Sequence, residues 1–366
     1  NIIGTSNYSD ILKGNSDKNI INGLGGHDTI YGIGGENTLY GGTGNDTIYT
    51  ATSKVAGQRG DVVYGGQGTD TLVGSFNKDF LIGGEEENNA DVETDWIDYS
   101  NLVLGANTYG ISVNLEQTTN FTDTGDRDYL DGNYSQVIRL DSNGNEIVSQ
   151  FDYISQIENI TGSSGDDTFT GNTSQNSILA GAGDDIIYYT RGLDYYDGGN
   201  HTTSSGQGSG TPSVGGGDWI SLAKETTTTV NFDLYNSSVG ANITNSSATV
   251  TNIENIIGYN GVQATTGWGT DSNNTFVMYA GNDSIIGRQG NDVYDLGDGN
   301  DAAFASYGND TIIGGAGIDR LDYTNNYSGT NQANIIILTN QDLNGDGDTA
   351  DANESITVQS ITVQGL

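Results

Sequence analysis

Asp283, Asp292, Asp301, Asp310 and Asp319 stand nine residues apart in the stretch GNDSIIGRQ GNDVYDLGD GNDAAFASY GNDTIIGGA GIDRLD. Carboxylates repeated at a fixed interval in Gly-rich turns present hard oxygen ligands, and the chemistry they suit is calcium coordination. The underlying phrase is G-G-x-G-x-D-x-U-x, where U is a large apolar residue. Residues 41–49 (GGTGNDTIY) and 65–73 (GGQGTDTLV) reproduce it in full. The same acidic position recurs at Asp10, Asp28 and Asp46, at Asp61, Asp70 and Asp79, and at Asp167, Asp185 and Asp194. Asn19, Asn37, Asn176 and Asn274 occupy it elsewhere. Near the end, Asp342, Asn344, Asp346 and Asp348 have the D-x-N-x-D-G spacing of a calcium loop, although Asn353 stands where a regular EF-hand has Glu.

The elements that must hold these ligands follow from the period. Gly at positions one, two and four permits a tight turn and positive φ. The x-U-x tripeptide is a short strand with one inward side chain, such as Leu12, Ile21, Ile30, Leu39 and Ile48 in the first block. Two repeats close one coil, so residues 18 apart stack on one edge at about 4.8 Å. One edge of the first block then carries Asp10, Asp28 and Asp46, and the other carries Asn19 and Asn37. Ca2+ affinity follows ligand charge, so calcium is expected mainly on the Asp edge, with amide hydrogen bonds on the Asn edge. The step from Asp46 to Asp61 exceeds nine by six residues, which reads as a loop pushed out of one turn. The expected fold is all-β, a parallel β-roll or β-solenoid with Ca2+ in the turns, interrupted by β-rich spacers.

Composition narrows the field. Of 366 residues only 33% are hydrophobic, and net charge is −37, a balance that predicts disorder for the metal-free chain. Asp makes up 37 of the 48 acidic residues, against what a generic solubilising surface would need. The 11 Lys and Arg are scattered, so neither nucleic acid nor an anionic membrane is an expected partner. With no Cys, a disulfide staple is excluded and calcium is left to supply one. No apolar run is long enough to span a bilayer, so membrane insertion is not expected. The chain opens within a degenerate repeat and reads as a fragment or processed product.

On these residues the chain resembles the RTX repeat family of secreted bacterial toxins, proteases, lipases, alginate epimerases, adhesins and S-layer proteins. The resemblance implies a right-handed roll, calcium between successive turns, and export unfolded by type I secretion followed by folding in external calcium. Leu24 and Ile33, in place of the second Gly, depart from the pattern.

Between the rolls a longer pattern recurs. Asp95-Trp96-Ile97, a strand-like run at 110–115 and Ile157-Glu158-Asn159-Ile160 find their counterparts in Asp218-Trp219-Ile220, 229–234 and Ile253-Glu254-Asn255-Ile256. The expected organisation is a roll block with inserted loops (1–94), a β-rich spacer (95–161) and a second roll block (162–199). A Gly/Ser loop with a second spacer (200–266), a third roll block (267–322) and C-terminal strands with the Asp-rich loop (323–366) complete it. The spacers read as wider coils of the same solenoid. No catalytic constellation emerges: His27 and His201 read as bystanders and G-x-S-x-G is absent. The expected role is an extracellular, calcium-dependent structural protein of the bacterial cell surface (S-layer, filament or adhesin segment), with self-assembly or a cell-surface polysaccharide as partner. The alternatives are a noncatalytic module of a secreted protease, lipase or epimerase, and a polysaccharide-binding module.

Overall fold

Many x-U-x tripeptides form three-residue strands that bury the middle side chain between two half-exposed neighbours (Thr29–Tyr31, Thr47–Tyr49, Ser177–Leu179, Ser284–Ile286), while Ile21, Leu39 and Val63 lie in six-residue strands. In this computed structural model the described residues are 1–51, 59–84, 94–104, 108–122, 130, 132–200, 217–224, 231–240, 248–304, 308–322, 334–337 and 361–362. They fall into two compact units, Asn1–Gly183 and Asp184–Leu366. Every named element among them is a β-strand. Asp342, Asn344, Asp346 and Asp348 lie outside the described residues.

In the first unit one parallel sheet stacks Ile11–Lys13, Thr29–Tyr31, Thr47–Tyr49, Thr71–Val73, Trp96–Asp98, Asn159–Thr161 and Ser177–Leu179. The facing sheet stacks Ile2–Ile3, Ile20–Gly25, Thr38–Thr43, Val62–Gln67 and Phe80–Ile82. Register is that of the repeat: Thr29 lies opposite Thr47, and Ile20 opposite Thr38. The six extra residues near 52–58 leave it intact, since Leu39 pairs with Val63 and Ile48 with Leu72.

The spacer enters the same sheet. Glu146–Ser155 pairs parallel with Phe80–Ile82, then Gly132–Asp141 and Thr108–Phe121 follow antiparallel, and Thr108–Phe121 pairs parallel with Thr168–Thr170. Three strands are thus inserted on one face, while Trp96–Asp98 and Asn159–Thr161 stay adjacent on the other. The second unit repeats the device: Ala248–Thr251, Ser238–Gly240 and Asn231–Asp233 stand between Tyr195–Asp197 and Thr266–Trp268. Its facing sheet runs without interruption from Ile186–Tyr188 through Trp219–Ser221, Asn255–Ile257, Thr275–Val277 and Val293–Asp295 to Thr311–Ile313.

The core is the row of U residues. Ile21, Ile30, Leu39, Ile48, Val63, Leu72, Leu81 and Ile97 are sealed from solvent in the first unit, as are Ile187, Ile220, Ile256 and Ile285 in the second. Where Gly267 supplies no side chain, the Phe232 ring occupies the space its Cβ would take. Outward residues form their own rows, with Tyr31 stacked on Tyr49 at 4.7 Å and Tyr40 on Tyr64 at 5.3 Å. The first spacer also covers a small second core outside the roll, where Tyr134 and Leu130 pack with Val62, Tyr64, Phe80 and Ile82.

Candidate metal-binding turns

Each aspartate of the ladder bonds to its neighbour one coil away. The N–H of Asp10 donates to Oδ1 of Asp28 at 2.7 Å, and the same bond joins Asp28 to Asp46, Asp46 to Asp70, and Asp70 to Asp95. The backbone carbonyl of each then accepts from the next coil, as Asp46 O does from Thr71 N–H at 2.9 Å. In the second unit one edge links Asp185 to Asp218 and, after the spacer, Asn274 to Asp292 and Asp292 to Asp310. The opposite edge links Asp283 to Asp301 and Asp301 to Asp319.

One carboxylate oxygen per rung is thereby used, and the other decides what the turn can hold. Oδ2 of Asp28, Asp46, Asp218, Asp292, Asp301 and Asp310 is buried without a hydrogen-bond partner. A buried carboxylate oxygen left so is costly unless a cation completes it. The turn beside it is lined with oxygen. A Cβ on Gly41 would strike Asp46 Oδ2 and Gly65 O; on Gly23, Asp28 Oδ2 and Gly41 O; on Gly198, Asp218 Oδ2 and Asn252 O. The first glycine of the repeat therefore serves space, not φ. Positive φ is needed at positions two and four, as at Gly42 (113°) and Gly44 (115°). Leu24 (75°), Ile33 (69°) and Arg288 (77°) take it despite their side chains.

Hard oxygens from carboxylate and carbonyl groups, in a gap too small for a methyl, fit Ca2+. Among the described residues no three acidic or histidine side chains gather at one point as a metal cluster. The donor set is accordingly one of stacked carboxylates and main-chain carbonyls. Burial is the main reason these acids resist ionisation: it pushes Asp46, Asp283 and Asp310 up to about 6, Asp218 and Asp301 to about 7, and Asp292 to about 8. Repulsion from Asp310 adds to the shift of Asp292.

Other rungs are completed by the protein itself. Oδ2 of Asp61 accepts from Ala51 N–H (2.8 Å), that of Asp79 from Ser75 Oγ (2.7 Å), and that of Asp194 from the Tyr196 hydroxyl (2.7 Å). Asp10 Oδ2 accepts from the N–H and hydroxyl of Thr5. Asp167 accepts from Ser163 and from Ile111 N–H. On the Asn edge the amide nitrogen stands in for a cation: Asn37 Nδ2 donates to Gly34 O at 2.9 Å and Gly32 O at 3.2 Å, while its Oδ1 takes the N–H of Asn19. Asn176 and Asn274 donate in the same way to the carbonyls of Glu158 and Glu254.

Several ladder members escape the nine-residue reading. Asp95 and Asp218 continue the rungs from the spacers, and Asp152 receives the N–H of Asp79 from within a spacer strand. Asp152 also accepts the Tyr99 hydroxyl at 2.7 Å, and burial beside Asp79 pushes it to about 7. The visible signal for Asp95 and Asp218 is the shared Asp-Trp-Ile phrase; Asp152 has none. His27 accepts the N–H of Asn45 through Nδ1 at 2.8 Å, a structural bond between neighbouring coils. Fifth-position residues bond coil to coil in the second unit too, where Asn291 accepts from Asn309 N–H and Asn300 from Ile318 N–H.

Turns of this kind define a calcium-binding parallel β-roll. The family model described as RTX calcium-binding nonapeptide repeat (4 copies) matches residues 5–35, 31–51, 55–88, 161–196, 268–303 and 304–322. The chain carries RTX calcium-binding repeats, in several copies. No curated protein matches it. Among the described residues no helix is long and apolar enough to cross a membrane.

Proposed function

We propose that this chain is an extracellular, calcium-dependent structural segment of a bacterial cell-surface protein, of the S-layer, filament or adhesin kind. The observation that supports it most is the ladder of buried carboxylates along the roll, several with one oxygen unmet, whose rungs Asp95 and Asp218 carry on from the spacers. Calcium is assigned to the turns of Asp28, Asp46, Asp218, Asp292, Asp301 and Asp310. Asp61, Asp79, Asp167 and Asp194 serve as hydrogen-bonded rungs. The chemistry of the metal here is neutralisation and cross-linking of coils. Each site stabilises the fold by about 1.4 kcal/mol at roughly tenfold excess of free calcium over Kd, so several together reach the stability of an ordinary domain.

Low cytosolic calcium keeps such a chain unfolded for export, and millimolar external calcium folds it. Light scattering coupled to size exclusion, in EDTA and then in millimolar calcium, tests the reading. Large ordered assemblies in calcium support the surface lattice or filament. A compact monomer favours the module of a secreted enzyme instead, and no response to calcium ends the proposal.

A further inference from the structure

Apart from the turns, the first unit contains a cleft of about 680 Å3, within the range of about 300–1,000 Å3 usual for small-molecule sites. Its floor is an outward row of one sheet, in which strand pairing sets Tyr31, Tyr49, Val73 and Asp98 side by side. Tyr31 covers one face of Tyr49. On the other side of Tyr49 the smaller Val73 follows, which opens room against the ring. The wall is Arg139, carried by the spacer strand Gly132–Asp141.

Arg139 is out of keeping with its surroundings. The chain holds 48 acidic residues, yet among the described residues this guanidinium bonds to neutral oxygens, Gln150 Oε1 at 3.1 Å and Val103 O at 3.0 Å, and lies 5.7 Å from the Phe76 ring centroid. Its Nε is buried without an acceptor. Asp98 lines the same cleft, but its Oδ1 takes the N–H of Ser100 at 2.7 Å and it makes no ion pair with Arg139. Burial pulls the Arg139 pKa down, which marks a charge held at a cost. Arg139 lines the cleft, and each terminal nitrogen, with one N–H given to Gln150 or Val103, keeps a second N–H that matches a carboxylate.

We infer that this cleft binds a carboxylate-bearing saccharide, with the carboxylate on Arg139, a ring face against Tyr49 and hydroxyls donating to Asp98. Aromatic contact, one cationic fork and one hydroxyl acceptor together select a sugar acid over a neutral sugar. A more highly charged anion is disfavoured by Asp98. This goes beyond the calcium reading and uses none of the turn carboxylates.

Calorimetric titration of the calcium-loaded chain with the methyl glycoside of galacturonic acid, which carries one carboxylate, and with its methyl ester, tests it. The acid is expected to bind about tenfold or more tightly than the ester. Arg139→Gln removes that preference, and Tyr49→Ala weakens both ligands. Circular dichroism in calcium checks that each variant is folded. Equal affinity for acid and ester, or no binding of either, overturns the inference. So does binding of the acid that survives both substitutions, which would place the uronate on turn calcium.

Discussion

Oε2 of Glu254 accepts the N–H of Asp218 at 3.0 Å, and Oε2 of Glu158 accepts that of Asp95 at the same distance. Each spacer therefore ends by returning a longer carboxylate to the rung the preceding roll left open. The next residue completes the hand-over, for Asn159 and Asn255 accept the first N–H of the following strands, at Ser177 and Thr275. Replacing Glu254 by Ala leaves the buried Asp218 N–H without this acceptor, at about 1–3 kcal/mol. Glu254→Gln retains an acceptor and should lose much less. Denaturant unfolding in calcium measures both, and equal losses would show that the carbonyl geometry is irrelevant.

Asn37 and Asp46 occupy equivalent repeat positions with opposite solutions, an amide donating to turn carbonyls and a carboxylate with one oxygen unmet. Asn37→Asp is expected to bind one additional calcium per chain, and Asp46→Asn one fewer. Metal content after gel filtration reads the stoichiometry directly. Unchanged content in both would refute the assignment of ions to turns.

The gap beside Gly41 offers a test that spares every ligand. A Cβ there would strike Asp46 Oδ2 and Gly65 O. Gly41→Ala should lose the calcium of that turn with all carboxylates intact, whereas substitution at an exposed outward position should not. Calorimetric stoichiometry distinguishes them.

Leu24 stores strain. Its φ of 75° is one that glycine adopts freely and a branched side chain does not, and the residue is 40% exposed. Leu24→Gly is expected to stabilise the calcium-loaded chain by about 1 kcal/mol, read as a raised melting temperature. A lowered one would mean that the side chain packs usefully.

Protons and calcium should compete. Burial raises Asp46, Asp283, Asp310, Asp218, Asp301 and Asp292 to values from about 6 to about 8. Between the unfolded pKa of about 3.9 and those values, the folded metal-free chain holds more protons than the unfolded one. Its stability is therefore greatest below that window and is lost as pH rises through it. In EDTA, acidification from about pH 8 to about pH 5 should restore β-sheet ellipticity, while calcium affinity falls over the same interval. A metal-free chain equally folded at both ends of that range contradicts this.

The nine-residue period determined the local outcome without help. A strand of one inward residue and a turn of two left-handed positions follow from Ile48 flanked by Thr47 and Tyr49 and from Gly42 and Gly44. Stacking of Asp28 on Asp46 follows as well, because an 18-residue coil fixes which residues meet. The Asp edge and the Asn edge were legible for the same reason. Tertiary structure decided what period cannot express. Asp152 joins a rung from 73 residues away, since an inserted three-stranded meander happens to present it there. Asp61 and Asp46 look alike in sequence, yet Ala51 N–H satisfies Oδ2 of the first, while that of the second stays unmet. Arg139 and Tyr49 share a cleft only because that meander returns along the sheet. Local repetition sets each coil; which lone pairs stay unmet depends on what the rest of the chain brings within bonding distance.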